Sequence, residues 1–175
     1  MLVQGVGSVG APLAELLALE DATLVLTDVE PDRARALANR LGADTVAADD
    51  ALKAACDVYA PCALGATLST DTIPHLRARV VAGSANNQLA EPDDAERLRT
   101  AGILYAPDYV INSGGALYSV GREALGWNDE RVEAELAGIG DTLTRIYERA
   151  DAAGITTLAA ADELAATRLA GAAGA

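Results

Sequence analysis

The first ten residues constrain the fold more than any other stretch. They read Met1-Leu-Val-Gln-Gly-Val-Gly-Ser-Val-Gly10, a short apolar run that breaks into Gly-x-Gly-x-x-Gly. Glycines at these three positions permit a tight turn, a close backbone approach to a pyrophosphate, and close packing of the next helix on the strand. The amide groups that begin this helix then face the phosphates, whose charge the helix dipole favours. The stretch predicts a dinucleotide-binding turn made by Gly5, Gly7, Ser8, Val9 and Gly10.

The residues that follow supply the context that a glycine motif alone lacks. Leu13, Leu16 and Leu17 recur at helical spacing, and residues 23–27 (Thr-Leu-Val-Leu-Thr) are typical of a second strand. Strand, glycines, helix and strand therefore occur in the order that nucleotide binding requires. The alternative is a glycine loop that only connects a strand to a helix.

Asp28 ends the second predicted strand. It lies close to the distance of ~20 residues at which an acidic side chain meets the adenosine ribose hydroxyls. Its carboxylate repels a 2′-phosphate, and no Arg or Lys comes directly after it, since the next residues are Val29, Glu30 and Pro31. We therefore expect NAD, and not NADP, with Asp28 and Val29 at the ribose.

Strand and helix patterns alternate through most of the chain. They predict a Rossmann-type α/β fold, a doubly wound, mostly parallel sheet with C-terminal helices, in a single domain over residues 1–175. The further predicted strands are residues 43–46, 57–60, 80–82 and 103–106. The further predicted helices are residues 31–41, 49–55 and 91–101, a long one from the cap Asn128 to before Gly154, and residues 157–170.

Charge and composition exclude several function classes. The net charge is −13, from 26 acidic and 13 basic residues, which disfavours nucleic acid and anionic membrane surfaces as partners. No apolar run reaches the ~18 residues of a membrane span, so we expect a cytoplasmic protein. Cys56 and Cys62 have neither the spacing of a redox pair nor enough neighbours for a zinc site. We expect no metal site, and we interpret His75, the only histidine, as structural.

Four segments resemble the Glu/Leu/Phe/Val dehydrogenases, most of all the leucine/valine branch of that family. They occur in the same order as in the family, over nearly the whole chain, and match its C-terminal, cofactor-binding domain. The segments are Val3-Gln-Gly-Val-Gly-Ser-Val-Gly10, Tyr59-Ala-Pro-Cys-Ala-Leu-Gly65, Val81-Ala-Gly-Ser-Ala-Asn-Asn-Gln-Leu89 and Tyr105-Ala-Pro-Asp-Tyr-Val-Ile-Asn-Ser-Gly-Gly115.

The resemblance implies an activity and a set of site residues. In the family, this domain binds NAD and faces an N-terminal domain across a cleft; together they convert an L-amino acid reversibly to a 2-oxo acid and ammonia. Residues along the cofactor are then Ala60, Pro61, Cys62, Ala63, Ser84, Ala85, Asn86 and Asn112, with Asn112 at the carboxamide. Asn86, Val110 and Ser113 are implied to approach the substrate. As alternatives, the asparagines are loop or cap residues, and Val110 and Ser113 are packing residues at a helix start.

The family's catalytic lysine and aspartate belong to its N-terminal domain. Lys53, the only lysine, falls in a predicted helix outside every matching segment, so we assign no catalytic residue. We expect a fragment, or a domain whose N-terminal partner is a separate chain, that is inactive alone and forms homo-oligomers only in the full-length enzyme. Two alternatives remain: a stand-alone NAD(H)-sensing module, and a methyltransferase, which the Asn-rich loops fit poorly.

Overall fold

The chain divides into two compact units. Its structure is a computed structural model that describes residues 1–173. The first unit is Met1–Tyr105, and the second begins at Ala106.

The first unit is built on a six-stranded sheet. Every paired strand is parallel, and the strands lie in the order β3-β2-β1-β4-β5-β6. This order and direction confirm the doubly wound sheet. The strands are β1 (Leu2–Gln4), β2 (Val25–Thr27), β3 (Asp44–Thr45), β4 (Val58–Pro61), β5 (Val80–Val81) and β6 (Leu104–Tyr105). The α-helices are α1 (Gly10–Leu19), α2 (Pro31–Leu41) and α3 (Asp94–Thr100), and two 3-10 helices cover Ala48–Lys53 and Ile73–His75.

Alternating side chains of the central strands fill a core on each face of the sheet. Leu2 and its strand neighbour Tyr59 belong to one buried cluster, whereas Val3 and Leu26 belong to the other. The register aligns Gln4, the last residue of β1, with the last residues of β2 and β4. The loops that leave these three strands therefore begin side by side at one edge of the sheet.

The predicted boundaries were inaccurate mainly where turns replace regular elements. The predicted helix at 49–55 is the 3-10 helix Ala48–Lys53, and the helix predicted to start at residue 91 starts at Asp94. The later start reflects turn bonding, because the amides of Asp94 and Ala95 donate to carbonyls three residues earlier, at 3.0 and 3.2 Å, and not four. Pro12 lies in the first turn of α1, where proline is tolerated.

The second unit is helical. Its long helix α6 starts after Asn128, whose side-chain oxygen accepts from the Arg131 amide at 3.0 Å, and ends at Gly154 in the left-handed conformation. Both ends confirm the prediction. Residues 108–124, where the sequence analysis considered a helix start but gave no element bounds, form short helical segments. The elements are α4 (Asp108–Ile111), α5 (Gly114–Ser119), a π-helical turn (Val120–Ala124), α6 (Asp129–Ala153) and α7 (Thr157–Ala173).

We find no helix in residues 1–173 that combines the length and the apolar character needed to cross a membrane.

Candidate functional site

The glycine turn lies between β1 and α1. Gly5 has a φ of +89° and donates its amide to the Thr27 carbonyl at 2.8 Å. A Cβ on Gly10 would lie 1.9 Å from the Gly5 carbonyl oxygen, so only glycine allows the helix to begin this close to the strand. The first helical bond runs from the Ala11 amide to the Gly7 carbonyl at 3.1 Å, and residues 7–9 are exposed. The positive end of α1 therefore faces solvent across a glycine backbone, as a diphosphate site requires.

Asp28 stands beside this turn with its carboxylate buried. Oδ2 accepts the Val6 amide and Oδ1 accepts the Glu30 amide, both at 2.9 Å, and 8% of the residue is exposed. The bond to Val6 fixes the carboxylate against the middle of the glycine motif. The glycine turn predicted to bind pyrophosphate and the acid predicted to bind ribose are therefore hydrogen-bonded to each other. Val29, next to Asp28, is exposed.

An arginine also lies beside the Asp28 carboxylate, and the sequence analysis gave this arginine no role. Arg33 Nη1 lies 3.6 Å from Asp28 Oδ1, and its Nη2 lies 3.1 Å from Glu30 Oε2. Arg33 is five residues beyond Asp28, whereas the sequence prediction considered only cations directly after the acid. The signal in the sequence that could have identified Arg33 was the predicted helix start at Pro31. It places Arg33 in the first turn of the helix, close to the end of the strand.

The loop after β4 packs against the glycine turn. The Cys62 amide donates to the Gln4 carbonyl at 2.7 Å, and a Cβ on Gly5 would lie 2.7 Å from the Cβ of Ala63. Pro61 is buried, Cys62 is half-buried and Ala63 is exposed. The structure thus brings the predicted Ala60–Ala63 segment against the predicted pyrophosphate turn.

The loop after β5 is fixed to the loop after β4. The Ala85 amide donates to the Pro61 carbonyl at 2.9 Å, and a Cβ on Gly83 would lie 2.3 Å from that same oxygen. Gln88 is fully buried, and its Nε2 donates to the carbonyls of Gly83 at 2.8 Å and Ala85 at 3.0 Å. These two bonds indicate that the buried side-chain amide of Gln88 positions the loop after β5. The sequence analysis gave Gln88 no such role.

The two asparagines in that loop differ. Asn87 has a φ of +52°, a left-handed conformation that Asn tolerates better than most residues. Its carbonyl accepts the Ala66 amide at 2.6 Å. These contacts favour the loop-residue interpretation for Asn87. Asn86 is exposed at the same edge of the sheet, and Ser84 is half-buried.

Three predicted site residues belong to the second unit. Val110 packs against the cluster around Ile146, and Ser113 Oγ donates to the Val110 carbonyl at 2.7 Å. Both line a cavity of about 560 Å³ within this unit, and Asn112 follows α4 and is half-buried. Packing against that cluster fits the helix-start alternative for Val110, and its place on the cavity wall fits a ligand contact. Roles for these residues at a cofactor or substrate stay predictions.

Lys53 and His75 lie at the opposite edge of the sheet. The Arg77 amide donates to the Leu52 carbonyl at 3.2 Å, which ties together the segments just before β4 and β5. Lys53 and His75 are exposed in these segments. Burial raises the pKa of the nearby Cys56 thiol. Within residues 1–173, no group of His, Cys, Asp and Glu side chains is arranged to hold a metal ion.

Comparisons with known proteins agree with one another. Residues 6–175 match the family model for Glutamate/Leucine/Phenylalanine/Valine dehydrogenase. The chain is 44% identical to leucine dehydrogenase of Bacillus cereus over 168 residues, 96% of this chain and 46% of that protein. It is 47% identical to valine dehydrogenase of Streptomyces albus over 171 residues, again 96% of this chain and 47% of that protein. The chain therefore spans about half the length of the curated relatives it matches.

Solved structures show the same fold. L-tryptophan dehydrogenase from Nostoc punctiforme superposes with a TM-score of 0.94 at 39% identity, over 99% of this chain and 53% of that one. The hetero-hexameric glutamate dehydrogenase from Thermus thermophilus gives 0.73 at 22% identity, over 96% of this chain and 45% of that one.

Proposed function

This chain belongs to the Glutamate/Leucine/Phenylalanine/Valine dehydrogenase family, and from that premise we propose that it is the NAD-binding half of an L-amino acid dehydrogenase. The observation that carries the proposal is the hydrogen bond from the Val6 amide to Asp28 Oδ2. It unites an exposed helix start, which attracts a diphosphate, with a buried carboxylate, which accepts from ribose hydroxyls.

The residues present fit a dinucleotide. A Cβ placed on Gly7 meets no atom within 4 Å, so the space in front of the turn is open, whereas the space behind Gly10 is filled by the Gly5 carbonyl. We propose that the amides of Gly7, Ser8 and Val9 bind the pyrophosphate, and that Asp28 binds the adenosine ribose with Val29 beside it. NAD held there would supply the hydride acceptor for oxidation of the substrate.

The remaining loops supply orientation in this proposal. Residues 60–63 and 84–86 are two loops next to the glycine turn. The Ala85–Pro61 bond joins the loops to each other, and the Cys62–Gln4 bond joins the first of them to β1. Loops that backbone hydrogen bonds already fix can orient a cofactor at little entropic cost. We propose that Asn86 offers its carboxamide to the nicotinamide end, where it adds no charge. A cofactor role for Asn112, which belongs to the second unit, stays a prediction.

The substrate we propose is an apolar L-amino acid, with its 2-oxo acid and ammonia as products. The support is the similarity to proteins named for leucine and valine. We propose Asn86 as a substrate contact of the first unit and, separately, Val110 and Ser113 as substrate contacts through the cavity that they line within the second unit.

Proton transfer in this proposal depends on residues beyond these 175. Amino acid oxidation needs a base near the substrate, and Lys53 is on the edge of the sheet away from the glycine turn. The relatives are about twice as long as the matched region. We propose that the unmatched half of such a protein supplies the acid–base groups, so this chain alone has no deaminating activity.

Calorimetry on the purified chain tests the cofactor. We expect NADH to bind one to one, S-adenosylmethionine not to bind, and Gly7→Ala to weaken NADH binding at least about tenfold, because its Cβ enters the pyrophosphate space. A folded chain that does not bind NADH would contradict the proposal.

A fusion tests the activity. We would join this chain to the part of Bacillus cereus leucine dehydrogenase that it does not match, and follow NADH formation with leucine and valine. Turnover that requires both parts, and that needs at least about tenfold more NAD in Gly7→Ala, supports the proposal. Turnover by this chain alone would contradict the assignment of proton transfer to another segment.

A further inference from the structure

Asp28, Glu30 and Arg33 form a charged group that we call the Asp28 corner. It combines the acid typical of an NAD site with a cation typical of an NADP site. We propose that Arg33 is a specificity-determining residue: its guanidinium is a ready contact for a phosphate on the ribose 2′-oxygen, kept from that role by Asp28 and Glu30. This inference rests on the proposed NAD-binding function.

The geometry places Arg33 within reach of the ribose position. Its Nη1 lies 3.6 Å from Asp28 Oδ1, the oxygen that also accepts the Glu30 amide. A ribose hydroxyl that donates to this carboxylate therefore approaches the guanidinium as well. The Arg33 side chain is 48% exposed, which leaves it free to turn toward a ligand.

The charges explain why the cation is not already a phosphate site. Asp28 and Glu30 both pair with Arg33, so the corner keeps one negative charge in excess. A 2′-phosphate would meet that excess charge together with the buried, hydrogen-bonded carboxylate of Asp28. When either carboxylate loses its charge, the excess negative charge disappears and Arg33 keeps a single charged partner. A phosphate can then compete for the guanidinium, which binds phosphate in a two-point geometry that lysine does not match.

Other arginines on the same helix are engaged elsewhere. Arg35 pairs with Asp32, and Arg40 pairs with Glu15 of α1. Arg40 is seven residues further along α2, about 10 Å from Arg33 at the helical rise. Its removal changes the net charge by the same amount as removal of Arg33, which makes Arg40→Ala a matched control.

The experiment measures NADH and NADPH affinity by calorimetry on the whole 175-residue chain. A second pair of probes, adenosine 2′,5′-bisphosphate and 5′-AMP, confines the comparison to the adenosine end. We expect Glu30→Gln to strengthen NADPH binding about threefold and Asp28→Asn about tenfold or more, with little gain for NADH. In both backgrounds Arg33→Ala should remove the gain, whereas Arg40→Ala should keep it. Glu30 is exposed, so this arm remains informative if Asp28→Asn destabilises the fold.

Three results would overturn the inference. The first is a gain in NADPH affinity that survives Arg33→Ala. The second is an equal loss with Arg40→Ala, which would show a general effect of net charge. The third is the same response from 5′-AMP as from the bisphosphate. If the native chain binds NADH normally, these results refute the role of Arg33 alone; a native chain that does not bind NADH refutes the proposed function too.

Discussion

The glycine turn and the Asp28 corner lie side by side at one edge of the sheet, yet different physics holds each in place. At the turn, backbone atoms are so close that a side chain is sterically excluded, as with Gly10 against the Gly5 carbonyl. At the corner, a buried carboxylate is held by two amides and an arginine. Substitutions at the turn should therefore act through packing, and those at the corner through charge and hydrogen bonding.

The largest expected effect separates two glycines of the turn. Gly10→Ala places a Cβ 1.9 Å from a carbonyl oxygen and should destabilise the fold by about 3 kcal/mol or more, since backbone on both sides has to move. Urea denaturation followed by circular dichroism measures this loss.

Gly7→Ala is the matched control for that loss. Its Cβ meets no atom within 4 Å, so stability should stay within about 0.5 kcal/mol of the native value. Equal destabilisation by the two substitutions would contradict the difference between the back and the front of the turn.

At the Asp28 corner, the expected effect is smaller. Asp28→Asn keeps the shape but presents an amide NH₂ to one of two backbone N–H donors, which should cost about 2 kcal/mol of unfolding free energy. Asp57→Asn is the control, because the Asp57 side chain is 85% exposed and should contribute almost nothing. A loss below about 0.5 kcal/mol for Asp28→Asn would show that these bonds do not hold the corner.

Sequence patterns predicted the features that local chemistry determines. The glycine spacing, the acid after β2, and the Asn128 and Gly154 helix ends are readable because each depends on a few adjacent residues. Arg33 and Gln88 were not assigned roles, because their partners became apparent only when the helix start and the loop conformation were known. Element bounds in residues 108–124 could not be predicted either, because these short helical turns bury few residues and show no clear periodicity.

A substitution of Gln88 tests whether hydrogen bonding also fixes the loop after β5, beside the turn. Gln88→Met retains the volume but removes the donors to Gly83 and Ala85, and should cost about 1–3 kcal/mol. NADH should bind more weakly, and amide exchange of residues 83–88 should accelerate more than that of α6. Unchanged exchange in this loop would show that Gln88 does not position it.

The smallest expected effect concerns Tyr59, whose hydroxyl donates to Gln4 Oε1 at 2.6 Å behind the turn. Burial raises the pKa of Tyr59, so the folded chain keeps its proton where the unfolded chain, with a pKa of about 10, releases it. The stability from this group is therefore full below pH ~10 and falls as the pH rises above it. Tyr59→Phe should cost about 1 kcal/mol at pH 7 and about zero at pH 11.

Urea denaturation at each pH measures this difference. The exposed Tyr118→Phe serves as the control. A cost for Tyr59→Phe that stays constant from pH 7 to pH 11 would contradict the burial argument.

The most direct test of the central claim is a crystal structure of this chain with NAD. We expect the pyrophosphate to contact the amides of Gly7–Val9 and the adenosine ribose hydroxyls to donate to the Asp28 carboxylate. A cofactor bound elsewhere, or a ribose turned away from Asp28 in a chain that binds NAD in solution, would contradict it.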